Sequence, residues 1–449
     1  MKPAYIAVDF GAGSGRVIAG VPGPDGSLSF DEVYRFDNRR VRLGRHIYWD
    51  FPALFADMLE GLRRCVAKGY RLTFIGVDTW GVDFGFIDRE GNLLGNPVSY
   101  RDPSCVGALE RYFADKDMAA HYATTGIQMM DINSLYRLAD MKHSAPAILE
   151  AADRLLFMPD LFNYFLTGVA CCEYTEATTS ELIDARTRSW NMATIRQAGL
   201  PERLFGRIVM PGEIIGVITD EVMKEIGVDY AVPVIAVPSH DTASAVESVK
   251  PFSDGCGAFL SCGTWSLLGV VIDSPILTEQ ARKAGFTNEG AAGGRICFLQ
   301  NITGLWILQR LTDQWNCHDY DTLIAEAEQS PITSVIDVDS PDFTNPADMA
   351  LAITGYCRRH CLEVPASRGD FVKCVLLSLA DRYRRGIEGL DAILPQKVRS
   401  LTIFGGGSRN SLLLDLTRRA TGIEVIRGMT EATAYGNIIT QQEALDGLC

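Results

Sequence analysis

Several familiar signatures are missing from this 449-residue sequence, and each absence closes off a class of function. No Gly-Lys-Ser or Gly-Lys-Thr tripeptide occurs, so there is no Walker A phosphate loop. The glycine-rich stretch Gly11-Ala12-Gly13-Ser14-Gly15 is spaced G-x-G-x-G, and β-rich sequence follows it, so it does not open a dinucleotide-binding helix. Long hydrophobic runs are absent. Stretches such as Val232 to Val237 are too short to cross a bilayer and contain proline. Positive charge is also short, with 42 Lys and Arg against 56 Asp and Glu, so no basic face for nucleic acid is expected. Met1-Lys2-Pro3-Ala4 leads into an apolar run broken by Asp9, which does not read as a secretory signal and suggests a cytoplasmic protein. Twelve cysteines are present, and Cys357-Arg358-Arg359-His360-Cys361 has a metal-like look. No second short-spaced pair completes four zinc ligands, so free, largely buried thiols are expected instead.

What is present is a chain long enough for two domains, each with its own core. The opening Ala4-Tyr5-Ile6-Ala7-Val8-Asp9-Phe10 reads as a strand, the glycine corner as a tight turn, and Arg16 to Val21 as a returning strand. Glycines let backbone amides face a phosphate, and Asp9 beside phosphates makes sense if Mg2+ sits between them. A plain glycine-rich hairpin with a solvated Asp9 fits the same residues.

Further along, Leu28 to Phe36 alternates like a third strand, Phe51 to Ala67 has a helical period, and Leu72 to Asp78 is a strand ending in an acid. The expected opening order is strand, strand, strand, helix, strand. Val234 to Pro238 reads as a buried strand leading into Ser239-His240-Asp241-Thr242. Gly257 to Ile272 then repeats the opening design of strand, glycine corner, strand, which suggests two related domains. Lys250 to Gly255 reads as a linker. Thr303 to Trp315 and Phe371 to Leu390 read as helices, and Leu401 to Phe404 as a strand entering Gly405-Gly406-Gly407, with a helix from Ser411.

These strings, together with Gly76-Val-Asp-Thr-Trp-Gly-Val-Asp-Phe84, Tyr100-Arg-Asp102, Met158 to Gly168, Thr287-Asn-Glu-Gly290 and Asn301-Ile-Thr-Gly-Leu-Trp306, resemble the FGGY carbohydrate kinases along nearly the whole chain. That family lies within the sugar-kinase, actin and Hsp70 ATPase superfamily. The resemblance implies an α/β fold of two ribonuclease H-like (actin-like ATPase) domains with a central cleft, spanning 1–245 on the sugar and phosphate side and 246–449 on the nucleotide side. The chain stops at Cys449, shortly after Gly436-Asn437-Ile438, where other family members continue with more helix.

The resemblance also implies ATP-dependent phosphorylation of L-rhamnulose, with L-fuculose, xylulose or an actin- or Hsp70-like ATP-binding role as alternatives. ATP and Mg2+ are the expected cofactors and a small ketose the partner, with the chain a monomer or small homo-oligomer and no nucleic acid or membrane engaged. Asp241 is the expected catalytic base, and Asp9 and Asp241 are assigned to Mg2+. Ala12, Gly13, Ser14, Gly15 and Arg16 are assigned to the phosphates, with Thr264 as the opposing phosphate clamp, and Gln309 is assigned to the nucleotide. Gly405, Gly406 and Gly407 would admit the adenosine. Trp80, Gly81, His240, Thr242 and Asn301, with Asp241, are assigned to the sugar. Taken alone, several of these residues have plainer readings: Asp241 as a helix cap, Arg16 paired with an acid, Trp80 as core, and Asn301 or Gln309 as a satisfied amide.

Overall fold

The computed structural model describes residues 1–11, 13–24, 27–249 and 257–448. They fall into two compact units. One comprises Met1–Ser248, Ile272–Phe298 and Thr433–Cys449, and the other Val249–Val271 and Leu299–Ala432. The chain therefore changes unit several times rather than once, and its end belongs with its beginning. The expected linker at 250–255 and Ala12 lie outside the described residues.

The first unit is built on a six-stranded sheet. β1 (Lys2–Phe10) and β2 (Ser14–Pro22) form an antiparallel hairpin that sets Asp9 opposite Arg16. β3 (Leu28–Asp37) continues antiparallel to β2. A small hairpin, β4 (Arg40–Leu43) and β5 (His46–Trp49), then precedes α1 (Phe51–Ala67), so the expected strand-to-helix passage omitted two strands. Val41 and Leu43 are exposed, and without a buried face β4 carries little hydrophobic patterning. β6 (Tyr70–Thr79) runs parallel to β1 and pairs Asp78 with Asp9. Pro233–Ile235 and Ile214–Val217 complete the sheet on the far side of β6.

Both faces of this sheet are covered, which is why β1 reads as a nearly unbroken apolar run. Ala4, Ile6, Val8 and Phe10 belong to the large core shared with Leu54, Met58 and Leu62 of α1. The alternate residues Tyr5 and Ala7 pack with Ile18, Phe74, Ile235 and Val237 against Ala434 and Ile438 of the C-terminal helix (Ala432–Leu448). That helix also lies close to the helix Asp241–Glu247. A Cβ on Gly436 would stand 1.8 Å from the Ser244 carbonyl oxygen, so only glycine permits this approach.

The second sheet runs Thr287–Gly290, Ile296–Thr303, Trp265–Ile272, Gly257–Cys262, Ser400–Phe404, Glu424–Arg427. Its central hairpin, Gly257–Cys262 with Trp265–Ile272, is antiparallel, and Ser400–Phe404 joins Gly257–Cys262 in parallel, as β6 joins β1. The repeated hairpin is thus a repeated sheet topology. The helix expected over Thr303–Trp315 spans Trp306–Gln314, and the later long helix spans Arg368–Ile393.

Candidate active site

Asp9 ends β1 fully buried, and its partner across the hairpin, Arg16, donates to Oδ2 from Nε at 2.9 Å and Nη2 at 2.8 Å. Oδ1 of Asp9 has no hydrogen-bond partner. Asn38 braces the glycine corner, donating from its backbone amide to the Gly13 carbonyl at 3.2 Å and from its side chain to the Gly11 carbonyl. Gly13 is exposed, Ser14 half-buried and Gly15 buried.

The register of β1 with β6 puts Asp78 next to Asp9. Asp78 is also fully buried, and its Oδ2 accepts from Asn437 Nδ2 at 2.6 Å while Oδ1 has no partner. Burial pushes Asp9 up, the Arg16 guanidinium opposes that, and the Asp241 charge adds to the rise. Burial, followed by the neighbouring Asp9, holds Asp78 well above the usual carboxylate range. Three acids thus act on one another with Arg16 as the nearby cation. Among the described residues, no three His, Cys, Asp or Glu side chains could enclose a metal unaided. Asp9, whose Oδ1 accepts no hydrogen bond from a donor and on which the Asp241 charge acts, nevertheless suits Mg2+, which keeps waters and phosphate oxygens in its shell and needs few protein ligands.

Asp241 opens the helix Asp241–Glu247, and 29% of its side chain is exposed although His240 and Thr242 beside it are buried. The Thr242 hydroxyl donates to Asp241 Oδ1 at 3.2 Å. The N-cap is His240, whose side chain makes no capping bond, and Asp241 is the first residue of the helix rather than its cap. Burial raises Asp241 above its ordinary range, and the His240 charge only partly offsets this. His240 places Nδ1 3.3 Å from Glu289 and Nε2 3.6 Å from Asp241. Burial would lower its pKa, but Glu289 and then Asp241 outweigh that and raise it.

Gly81 adjoins His240: a Cβ there would meet Nε2 and Cδ2 of the ring at 3.4 Å. Trp80 is buried, its ring 4.0 Å from that of Trp49, and both indoles donate to Asp83 Oδ2, at 2.9 and 2.6 Å. Arg137 completes this group with a 2.6 Å ion pair to Asp83 Oδ1. The structure therefore assembles Asp9, Arg16, Gly81, His240, Asp241 and Thr242 in one unit.

The other unit gathers a second set. The Thr264 hydroxyl donates to Gln309 Oε1 at 3.1 Å, joining two residues 45 positions apart. Gly405 has φ 81°, and Gly407 lies against Cys262, whose Sγ would stand 2.2 Å from a Cβ placed there. Gly406 faces open space. Asn301 is half-buried in Ile296–Thr303, the strand before the helix that carries Gln309.

Asp78, Asp83, Glu173, Glu289 and Asn437 were not singled out from the sequence. Asp78 had a signal, an acid closing a strand as Asp9 does. Glu289 and Asp83 stood inside strings already noted. Glu173 and Asn437 had none, because their contacts join segments far apart in the chain.

Residues 4–246 match the N-terminal domain, and residues 258–445 the C-terminal domain, of the FGGY family of carbohydrate kinases. A rhamnulokinase of Bacteroides thetaiotaomicron is 46% identical over 442 residues, covering 98% of this chain and 90% of that protein. A rhamnulokinase of Oceanobacillus iheyensis is 38% identical over 447 residues, covering 99% and 94%. A gluconate kinase from Lactobacillus acidophilus superposes with TM-score 0.80 at 13% identity, covering 100% of this chain and 90% of that one. A Plasmodium falciparum glycerol kinase with ADP gives 0.79 at 13%, covering 99% and 90%. The chain shares the mixed α/β fold of these two solved kinases. With both family domains matched in order over nearly its whole length, the chain belongs to the FGGY family of carbohydrate kinases and is a carbohydrate kinase.

Proposed function

We propose that this kinase transfers the terminal phosphoryl group of ATP to the 1-hydroxyl of L-rhamnulose, giving L-rhamnulose 1-phosphate and ADP. The observation that carries the chemistry is Asp241, a carboxylate partly open to solvent among buried neighbours and raised above its ordinary range. It takes the hydroxyl proton as the new P–O bond forms and the bond to ADP breaks. A late proton transfer of this kind suits a loose phosphoryl-transfer transition state. The full-length similarity to rhamnulokinases supports the choice of ketose.

His240, protonated more readily than an ordinary imidazole, donates to a sugar oxygen. Gly81 lets the sugar approach the backbone, and Thr242 supplies a further hydrogen bond. Gly13, Ser14, Gly15 and Arg16 meet the phosphates. Thr264 and Gln309 meet the nucleotide, and Gly405, Gly406 and Gly407 leave room for adenosine. Asp9 and Asp241 would hold Mg2+, which would offset phosphate charge. The protein works in the cytoplasm on a small ketose.

An ADP-release assay with Mg2+ over L-rhamnulose, L-fuculose and xylulose tests the substrate. The highest kcat/KM is expected for L-rhamnulose. A strong preference for either other ketose would overturn that choice and leave the kinase reading standing.

A further inference from the structure

We propose that Glu173 is a positioning residue for Asp241, an inference that rests on Asp241 being the catalytic base. Glu173 is fully buried at the N-cap of the helix Tyr174–Thr178. An ordinary N-cap carboxylate satisfies one or two amides of its own helix. Glu173 does this at 2.9 Å for Thr175 N and 3.1 Å for Glu176 N, and then reaches across the unit. Its Oε2 also accepts from the Ser239 amide at 3.1 Å and the Ser239 hydroxyl at 2.6 Å. The Thr175 hydroxyl donates to the same oxygen at 2.6 Å and in turn accepts from the His240 amide at 3.2 Å.

The backbone of residues 239–240 is thereby held on every side. The Ser239 amide goes to Glu173 and the His240 amide to Thr175. The Ser239 carbonyl accepts from Thr79 at 2.8 Å, and the His240 carbonyl accepts from Ser244 at 3.0 Å. Asp241 is the next residue; the bond to Ser244 belongs to its own helix, and the bonds to Glu173, Thr175 and Thr79 tie the peptides before it to other elements, which restricts where its Cα can sit. The strand end that bears Thr79 and the cap that bears Glu173 therefore fix the point from which the carboxylate projects. A misplacement of about 1 Å can cost on the order of a hundredfold in rate. Burial pushes the Glu173 carboxyl up, but every partner of its side chain is a donor. Hydrogen bonds to a charged carboxylate are about twice as strong as neutral ones, so the ionised group holds this segment more rigidly than a neutral side chain would.

Thr175→Val keeps the shape but removes the hydroxyl that links Glu173 to the His240 amide. We expect kcat to fall at least tenfold with KM for both ketose and ATP within twofold, and Thr175→Ser to restore kcat to within about twofold. Glu173→Gln should show the same split between kcat and KM. If Glu173→Gln does not fold, the Thr175 pair still decides the matter. Folded Thr175→Val or folded Glu173→Gln with kcat less than tenfold below the parent would overturn the proposal, as would a fall that Thr175→Ser fails to reverse. Asp241→Asn, assayed in parallel, separates the two ideas: near-normal turnover there removes the base itself, whereas loss there with normal Thr175→Val removes only the positioning role.

Discussion

Asn437, twelve residues before the end of the 449-residue chain, donates to the Asp78 carboxylate at 2.6 Å and to the Gly76 carbonyl at 3.2 Å. Gln441, one turn later, donates to the Ile6 carbonyl at 3.0 Å. The last helix thus seals the sheet that carries Asp9 and Asp78, and supplies the donor for one of two adjoining buried acids.

Replacing Asn437 by Leu would leave a buried carboxylate oxygen without its donor. Such a loss costs about 1–3 kcal/mol, and more for a charged group. The urea midpoint should fall accordingly, with the slope of the transition unchanged. An unshifted midpoint would show that the Asn437 contact contributes nothing to stability.

Asp78 gives a pH signature. Its folded pKa is raised, so the stability it contributes is fully present below the ordinary carboxylate pKa of about 3.9 and is lost as pH rises through the folded value. Asp78→Asn does not titrate, and its amide oxygen can still accept from Asn437. The variant should therefore gain in Tm relative to the parent between pH 5 and pH 8. A difference that stays flat across that range would contradict the raised pKa.

Asp241→Asn should reduce kcat by about 10²- to 10⁴-fold, the usual worth of a positioned acid or base. Nucleotide binding, measured by calorimetry, should persist. In the parent enzyme the base works only when ionised, so kcat/KM should fall on the acid side at a pH above the ordinary carboxylate range. An acid limb at or below pH 4 would contradict this, and near-normal turnover of the variant would remove Asp241 from the role.

The two neighbours Gly406 and Gly407 should respond differently to alanine. At Gly407 the new methyl would collide with Cys262, a crowding that costs about 1–3 kcal/mol and should lower Tm. At Gly406 nothing lies within 4 Å, so stability should hold while KM for ATP rises several-fold if adenosine approaches this backbone. An unchanged KM in Gly406→Ala would remove that residue from the nucleotide site.

Much of the fold was legible because burial imprints a pattern. β1 is covered on both faces and reads as an apolar run, and α1 shows a helical stripe opened by Asp50 and Pro52. The hairpin β4–β5 left almost no trace, since its exposed Val41 and Leu43 answer to no core. Within the site, Asp9 and Asp241 could be found because each closes or follows a buried strand. Glu173 could not, since an acid in a polar, Thr-rich stretch looks like any helix cap until Ser239 is seen beside it.

By itself the sequence determined the two glycine-cornered hairpins, the acids at the ends of their neighbouring strands, and the family to which those strings belong. Period-two burial and turn chemistry act locally, so they are written into consecutive residues. Only the tertiary structure decided that Asp78 adjoins Asp9, that Asn437 holds it, and that Glu173 pins the peptides before Asp241. Those relationships join residues up to 359 positions apart, and strand register and helix packing set them rather than any pattern along the chain.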